Sequence, residues 1–375
     1  MRATIHLGRL WGVRIGLHWS VFAVVVLLVF GVGLTRFPAA FPGHGAVAYL
    51  LAAVVAAVGF LLSLLSHELA HAVVARREGQ RVEGITLWML GGLAWLRDRA
   101  RTPGADFRIA VAGPATSVAV AVLFGLLAWA VAAVGVAPLV SGVFAYLAFI
   151  NFVLAAFNLI PAAPLDGGRI LRAALWRRWG DRHRAALVSA GLGRGFGFAL
   201  VLLGALGLLA GAGAGLWWVL VGVFVVVMAS AERSQSDLVE ALAGLRVRDV
   251  MTSHPDTADG DQSVAEFLRD VALVRRHSAF PLVDQAGQLQ GLVTLNRLKA
   301  VPADLRDSTA LRDIACPPAD VPKVAPDDPL PEVVSVMNGC GDRRAPVFEH
   351  GVLVGIVSPS DISRATVLSG LGVGR

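Results

Sequence analysis

Charged residues are scarce in this sequence: Asp, Glu, Lys and Arg together make up 16% of its 375 residues, whereas hydrophobic residues make up 56%. A soluble domain normally has about a quarter of charged residues, so the composition excludes a protein that is soluble throughout. Cysteine is nearly absent, since Cys316 and Cys340 are the only two. Two isolated thiols without metal-ligand spacing are typical of a reducing compartment and predict no disulfide framework.

A basic stripe with interleaved aromatic residues is also missing, which argues against nucleic acid as a partner, although Lys and Arg outnumber Asp and Glu by 33 to 27. The arginines cluster instead in short loops between apolar runs, at 76–108 and 169–184, whereas the connections at 37–45, 135–138 and 211–215 have none. This bias predicts that the Arg-rich loops, and with them both termini, lie in the cytoplasm.

Long apolar runs fill residues 1–231, whereas residues 232–375 have the composition of an ordinary globular domain. A helix needs about 20 apolar residues to cross a bilayer. Six runs close to that length lie at about 17–36, 46–75, 107–134, 139–160, 195–212 and 215–231. Basic residues before the first run imitate a signal peptide, but no convincing cleavage site follows, so we expect a retained first helix. We therefore predict a multi-pass protein of the inner (plasma) membrane.

Residues 84–96, with the sequence GITLWMLGGLAWL, form an apolar segment that is too short to span a membrane. A Gly-Gly pair lies between β-favouring residues, which predicts a short β-hairpin dipping into the membrane. An interfacial loop with a few buried side chains explains the pattern equally well.

The tail contains an internal repeat with a period of about 64 residues. The sequence FPLV at 280–283 matches APVF at 345–348, and GLVT at 291–294 matches GIVS at 355–358. A duplicated β-α-β-β-α unit explains this repeat. We therefore predict a polytopic α-helical membrane protein with about six transmembrane helices and a short membrane-associated β-hairpin, followed by a C-terminal α/β tandem domain.

These patterns also give the predicted domain boundaries. The membrane domain covers residues 1–231, a linker covers 232–245, and the two tail repeats cover 246–304 and 305–375.

A metal-binding motif, HELAH, ends the second apolar run. In a helix, His67 and His71 lie on one face, so both imidazoles can reach one metal ion. Glu68 lies beside them, where it can accept a proton from water that the metal activates. Polar residues that merely bond to neighbours are the alternative, but ionisable groups inside a bilayer are costly and usually functional.

A catalytic zinc ion normally has three protein ligands, and a candidate for the third follows the fourth apolar run. The segment NLIPAAPLDGG at 158–168 contains prolines and glycines that break the helix and can turn the Asp166 carboxylate inward. Asp166 as a simple helix N-cap is the alternative. Asp166 and the histidine pair are expected at the same depth in the membrane, which favours the role of Asp166 as a metal ligand.

The motifs at 67–71, 112–114 (AGP) and 158–168 together resemble the site-2 protease family of intramembrane metalloproteases. The similarity is greatest to the bacterial branch with two C-terminal CBS repeats, and it covers nearly the whole chain. The resemblance implies that the two histidines and Asp166 bind one zinc ion and that Glu68 is the catalytic base.

The resemblance also marks further positions. Asn158 matches a family asparagine for which substrate or oxyanion positioning is expected. Ser117 stands where the family often has asparagine, which weakens a role for that position. His18 matches a recurring family position and is either a metal-site or gating residue or an interfacial one. The predicted hairpin can pair with an unwound substrate as an added strand, through the candidate edge residues Leu93, Ala94 and Trp95.

The tail resembles paired CBS domains, which commonly bind adenine nucleotides. Ser358 and Asp361 match the ribose-binding pattern in the second repeat, although Asp361 as a helix N-cap explains the pattern equally well. The first repeat has Arg297 where the carboxylate belongs. The sequence thus predicts one nucleotide site and regulation of proteolysis by nucleotide.

The expected partners are the lipid bilayer and a single-pass membrane-protein substrate, for which the resemblance suggests an anti-sigma or pro-sigma factor. Homodimerisation through the CBS repeats is left open. Two other classes of protein fit part of the sequence: a CBS-regulated transporter or channel, and a zinc-binding scaffold without catalysis. The first does not account for HELAH or show two similar membrane halves, and the second gives no reason for Glu68.

Overall fold

The computed structural model describes residues 4–10, 12–89, 91–96, 100–135, 138–272, 275, 277–284, 287–337 and 339–370. The chain divides into two compact units, Met1–Ser236 and Asp237–Arg375. The last long helix of the first unit continues past this boundary to Ala241, so the first part of the predicted linker is helical.

Within the described residues of the first unit, six helices are long and apolar enough to cross a membrane, as the apolar runs predict. Their bounds are α1 (Val21–Ala40), α2 (Ala46–Arg77), α3 (Pro103–Ala133), α4 (Pro138–Asn158), α6 (Arg182–Leu209) and α7 (Gly215–Ala241). A shorter helix, α5 (Asp166–Trp179), lies between α4 and α6.

The fifth spanning helix begins well before the apolar run that predicts it. The Asp181 side chain caps α6 by accepting a hydrogen bond from the Arg184 backbone N–H at 2.9 Å. The first turns of α6 contain basic residues, so hydropathy identifies only the apolar part of this helix.

A four-stranded sheet is formed by two strands that come before α1 in the chain and two that come after α2. Its strands β1 (Ile5–Leu10), β2 (Val13–Leu17), β3 (Val82–Trp88) and β4 (Gly91–Leu96) lie in that order. The β1–β2 and β3–β4 pairs are antiparallel, and β2 pairs with β3 in parallel. The predicted hairpin at 84–96 is therefore present. A second hairpin, formed by β1 and β2, lies before α1, where the sequence predicts no strands.

The sheet packs on the helix that contains HELAH. Val13 of β2 and the pair Ile85 and Leu87 of β3 are at most 1% exposed, and they share a core with Leu69 and Ala72 of α2. Burial of these side chains fixes β3 and β4 against the helix turn that carries the histidines.

The second unit consists of two small α/β repeats, as the internal repeat predicts. Its strands are β5 (Thr252–Ser253), β6 (Ala279–Val283), β7 (Leu289–Thr294), β8 (Ala345–Glu349) and β9 (Val352–Val357). Its α-helices are α8 (Val247–Val250), α9 (Val264–Phe267), α10 (Leu295–Lys299), α11 (Leu311–Ile314), α12 (Leu330–Val336) and α13 (Pro359–Gly370). Strands β6 and β7 pair in the first repeat, and β5, β9 and β8 form one sheet.

The two cysteines contradict the prediction of no disulfide framework, because the structure joins Cys316 to Cys340. Cys316 is fully buried, and its backbone pairs with Leu292 of β7 in an isolated antiparallel β-bridge. The Cα atoms of Cys316 and Cys340 lie 5.4 Å apart. That distance suits a disulfide. The separation of 24 residues in the sequence does not predict that the two cysteines lie close together.

Candidate metal centre

Helix α2 brings its two histidines together in the buried part of the first unit. His67 and His71 are 3% and 7% exposed, and their Nε2 atoms lie 3.2 Å apart. The i, i+4 spacing puts both rings on one face of the helix, so both Nε2 atoms point to one place.

Asp166 reaches the same place from another element. It is the first residue of α5, and its Oδ2 atom lies 3.2 Å from each of the two Nε2 atoms. The turn before α5 packs closely on Gly167, where an added Cβ would lie 2.3 Å from the carbonyl oxygen of Ile160. Only glycine permits this close approach, which sets the direction of the Asp166 side chain.

Burial tends to raise the pKa of the Asp166 carboxyl, but its hydrogen bonds with His67 and His71 lower that pKa further than burial raises it. The carboxylate is therefore ionised at neutral pH. This is the state that a metal ligand requires.

The three groups fit a zinc ion. His67, His71 and Asp166 are the one set within the described residues whose ligand atoms lie within 4.8 Å of one another, and all three are buried. Two imidazole nitrogens and one carboxylate oxygen form a donor set typical of catalytic zinc.

The other ring nitrogens of the two histidines are already engaged by helix α3. His71 Nδ1 donates to the Ile109 carbonyl at 2.6 Å, and His67 Nδ1 lies 2.8 Å from the Ser117 hydroxyl. A carbonyl can only accept, so His71 carries a proton on Nδ1, which leaves Nε2 as the ring nitrogen that a metal ion can take. Such outer contacts orient metal-binding histidines.

Glu68 faces the edge strand of the sheet. Its Oε1 atom accepts a hydrogen bond of 3.1 Å from the backbone N–H of Gly92 in β4. A backbone N–H that points to Glu68 is not used in the pairing with β3, so the edge of β4 opposite β3 faces this carboxylate.

A buried ion network holds α5 in place. Asp106, in the first turn of α3, is 1% exposed and receives two hydrogen bonds of 2.9 and 3.1 Å from Arg172 of α5 to its Oδ2 atom. Arg169 lies 3.4 Å from the same carboxylate, and Arg172 also contacts Glu232 of α7 at 2.7 Å. The helix that begins with Asp166 is thereby tied to two spanning helices.

Other predicted site residues have different surroundings. The Asn158 amide donates to the carbonyl of Leu154 in its own helix at 3.1 Å. His18 Nδ1 lies 2.8 Å from the Ser20 hydroxyl. The backbone of 93–95 forms part of β4, and the side chains of Leu93, Ala94 and Trp95 lie outside the described residues.

The asparagine-to-serine difference at Ser117 argues against a role for that position, and the sequence does not predict Ile109 or Asp106 as parts of the site. An AGP motif at 112–114 marks their helix, but only the packing of α3 against α2 shows which of its residues face the histidines. Asp106 alone could have been found from the sequence, because an acidic residue next to an apolar run usually has a functional or structural partner.

A second candidate site lies in the tail. A cavity of about 180 Å³ is lined by residues of both repeats that include Thr252, Asp256, His277, Arg344, Ser358 and Asp361. The Asp361 carboxylate accepts hydrogen bonds from the Ser358 hydroxyl at 2.6 Å and from the Ser358 backbone N–H at 2.8 Å. Thr252 donates to the other oxygen of Asp361 at 3.3 Å.

In the first repeat Arg297 stands at the position equivalent to Asp361, and its side chain bonds to backbone carbonyls of the protein. Arg297 donates to the carbonyl oxygens of Cys340 at 3.2 Å and Ile314 at 2.7 Å. Asp342 takes hydrogen bonds from Thr294 and Asn296 at 2.5 and 3.1 Å. The two repeats therefore differ in the side-chain contacts at the equivalent positions 297 and 361.

Apolar spanning helices, a His-His-Asp cluster and a glutamate between the histidines define an enzyme of the membrane metalloprotease class. Comparison with known proteins agrees with this class and narrows it. Residues 55–141 and 131–203 match the profile of peptidase family M50, and residues 247–304 and 311–367 match the CBS domain. The chain belongs to peptidase family M50, which confirms its resemblance to the site-2 proteases.

Individual relatives have similar lengths. The chain is 44% identical to the putative zinc metalloprotease Rip3 of Mycobacterium tuberculosis over 97% of this chain and 93% of the relative. It is 28% identical to the zinc metalloprotease MJ0392 of Methanocaldococcus jannaschii over 97% and 96% of the two chains. A solved site-2 protease from the same archaeon is 26% identical, with a TM-score of 0.42, and covers 61% of this chain and 94% of its own.

Proposed function

We propose that this protein is an intramembrane zinc endopeptidase that hydrolyses peptide bonds in or near the transmembrane segments of membrane-tethered substrates. The observation that carries the proposal is the convergence of His67 Nε2, His71 Nε2 and Asp166 Oδ2 at 3.2 Å from one another. The donor set suits one zinc ion per chain, with these three residues as its ligands.

The residues around this centre suit peptide hydrolysis. When bound, zinc supplies a Lewis acid that polarises the scissile carbonyl and makes water a stronger acid. Glu68 acts as the general base: it takes a proton from the attacking water and delivers it to the leaving amine. The hydrogen bond from Gly92 N–H at 3.1 Å orients the Glu68 carboxylate for this role.

The substrate is bound, in this proposal, as an extra strand on β4. Extended peptides readily pair with a sheet edge, and a helical substrate must unwind before its backbone can be attacked. Backbone groups alternate along a strand, so Ala94 directs its N–H to the same side as Gly92, towards Glu68. A strand added there lies beside the general base.

The natural substrate is proposed to be a single-pass membrane protein such as an anti-sigma or pro-sigma factor. The enzyme lies in the plasma membrane with both termini in the cytoplasm, which the arginine-rich loops at 76–108 and 169–184 support. Asn158 retains its proposed role near the substrate. The Asn158 amide donates to the carbonyl of Leu154 in its own helix. This contact supports a role near the substrate more weakly than the Gly92 contact of Glu68 supports general base catalysis.

We propose that the tail binds one adenine nucleotide in the cavity lined by Ser358 and Asp361. Ribose hydroxyls donate well to a carboxylate, and Asp361 lies at the cavity wall. In the other repeat Arg297 occupies the equivalent place. Self-association through the tail is also proposed; two adjacent apolar side chains of α13, Val367 and Leu368, are 62% and 38% exposed and offer a contact surface.

The first test compares cells whose only copy is wild type or Glu68→Gln. Loss of the carboxylate removes the base and keeps the residue volume, so a full-length membrane protein accumulates in Glu68→Gln cells and is clipped near its spanning segment in wild-type cells. Glu78→Gln, which alters an exposed ion pair with Arg108, is the matched control and is expected to match wild type. Identical fragment profiles for Glu68→Gln and wild type, with zinc in both, would count against catalysis.

A further inference from the structure

One face of helix α3 contacts both histidines. Ile109, Gly113 and Ser117 follow one another at intervals of four residues, which places them in one row on the helix. The Ile109 carbonyl accepts from His71, and the Ser117 hydroxyl lies 2.8 Å from His67.

Gly113 lies between these two contacts and lets the helices meet. An added Cβ there would lie 2.2 Å from His71 Nε2 and 2.5 Å from His67 Nε2. Because α3 lies this close to α2, the Ile109 carbonyl and the Ser117 hydroxyl, one turn on either side of Gly113, can contact the Nδ1 atoms of His71 and His67.

We propose that Ser117 is a positioning residue that fixes the ring of His67 so that its Nε2 atom faces Asp166 and the zinc ion; this inference rests on the proposed metal ligands. Ser117 is 1% exposed. Its hydroxyl lies 2.8 Å from His67 Nδ1, and a proton on Nδ1 that is donated to this hydroxyl leaves Nε2 as the ring nitrogen for the zinc ion.

The neighbouring hydroxyl shows that the contact of Ser117 is specific. Thr116 donates to the carbonyl of Ala112 in its own helix at 2.9 Å, which is the usual bond of such residues inside a helix. Ser117 is turned instead towards another helix. Without its hydroxyl, His67 would keep a buried ring nitrogen that lacks its partner.

The experiment uses the purified full-length protein in detergent. Zinc affinity is measured by competition with a chromogenic chelator, and the site geometry by the visible spectrum of the protein loaded with Co²⁺. The variants Ser117→Ala, Ser117→Thr and Ser117→Val are compared with wild type, and Thr116→Val is the control. Threonine and valine have nearly the same shape, so this pair differs in the hydroxyl alone.

We expect Ser117→Ala and Ser117→Val to bind zinc about 10 to 100 times more weakly and to alter the Co²⁺ spectrum. Ser117→Thr should recover most of the loss relative to Ser117→Val, whereas Thr116→Val should match wild type. Equal zinc affinity and equal spectra for threonine and valine at position 117 would overturn the proposal. Wild-type protein that binds no zinc at all would instead overturn the proposed ligand set on which it rests.

Discussion

The charge of Asp166 decides whether the histidine pair becomes a three-ligand metal site. Its hydrogen bonds with His67 and His71 hold its pKa below the usual value despite burial, so it is an anion at the pH of the cell. Asp166→Asn keeps the shape and removes that charge. We expect the purified variant to retain less than a tenth of the wild-type zinc and to lose cleavage, as measured by atomic absorption and a substrate assay.

Asp181→Asn is a suitable control for this residue because it removes an exposed carboxylate at the start of α6. Asparagine is as good an N-cap as aspartate, so the control should keep its zinc and its activity. Full zinc content in Asp166→Asn would show that the two histidines bind the ion without the carboxylate, and the proposed ligand set would then be wrong.

At the scale of single elements, the proposed binding of the substrate along the edge of β4 opposite β3 gives a second prediction. Ala94→Pro removes the N–H that points away from β3 and leaves the bonds between β3 and β4 in place. We expect cleavage of a membrane substrate to fall at least tenfold, because the added strand loses a backbone hydrogen bond beside Glu68. Ala94→Gly keeps this N–H and is the control.

Cleavage and zinc content are measured together for both variants. A loss of cleavage with zinc retained fits the loss of strand pairing, whereas equal cleavage by Ala94→Pro and Ala94→Gly would refute binding at this edge.

Helix α5 provides a third prediction, since Arg172 ties it to Asp106. Asp106 is almost fully buried. Without Arg172 its charge keeps the longer contact with Arg169 at 3.4 Å, and a poorly paired buried charge is costly. We expect Arg172→Met to lower the free energy of unfolding by roughly 3 kcal/mol and to loosen zinc binding through Asp166. Thermal unfolding in detergent and chelator competition measure the two effects.

Arg178→Met, an exposed position on the same helix, is the control and should change neither quantity. The double variant Asp106→Asn with Arg172→Met should recover part of the lost stability, because it removes both charges. A single variant as stable as wild type would show that the ion network does not hold α5.

The sequence predicts those elements that depend on local pattern. Hydropathy identifies the spanning helices, and the i, i+4 spacing of His67 and His71 predicts the helix face that is proposed to bind the metal. The hairpin before α1 was missed because its strand β2 is stabilised by parallel pairing with β3, whose paired residues lie 70 positions further along the chain. Ser117 was missed as well, since its contact with His67 joins positions 50 residues apart. Both depend on tertiary contacts that no local pattern encodes.

For the whole molecule, the two tail repeats predict an unequal pair of ligand sites. Asp361 lines an open cavity, whereas Arg297 binds carbonyl groups of the protein itself in the equivalent place. Titration of the full-length protein with AMP, ADP and ATP by calorimetry should therefore show one nucleotide bound per chain. Asp361→Ala should weaken that binding at least tenfold, because the carboxylate that accepts from the ribose is lost.

Asp320→Ala removes an exposed carboxylate of the same repeat outside the cavity and should bind nucleotide like wild type. Cleavage of a membrane substrate is then followed with and without the nucleotide that binds. A rate that changes in wild type and in Asp320→Ala, but not in Asp361→Ala, would connect the tail to proteolysis. Two nucleotides per chain, or unchanged binding by Asp361→Ala, would contradict the single site, which is proposed for the second repeat because Arg297 stands in the first repeat where Asp361 stands in the second.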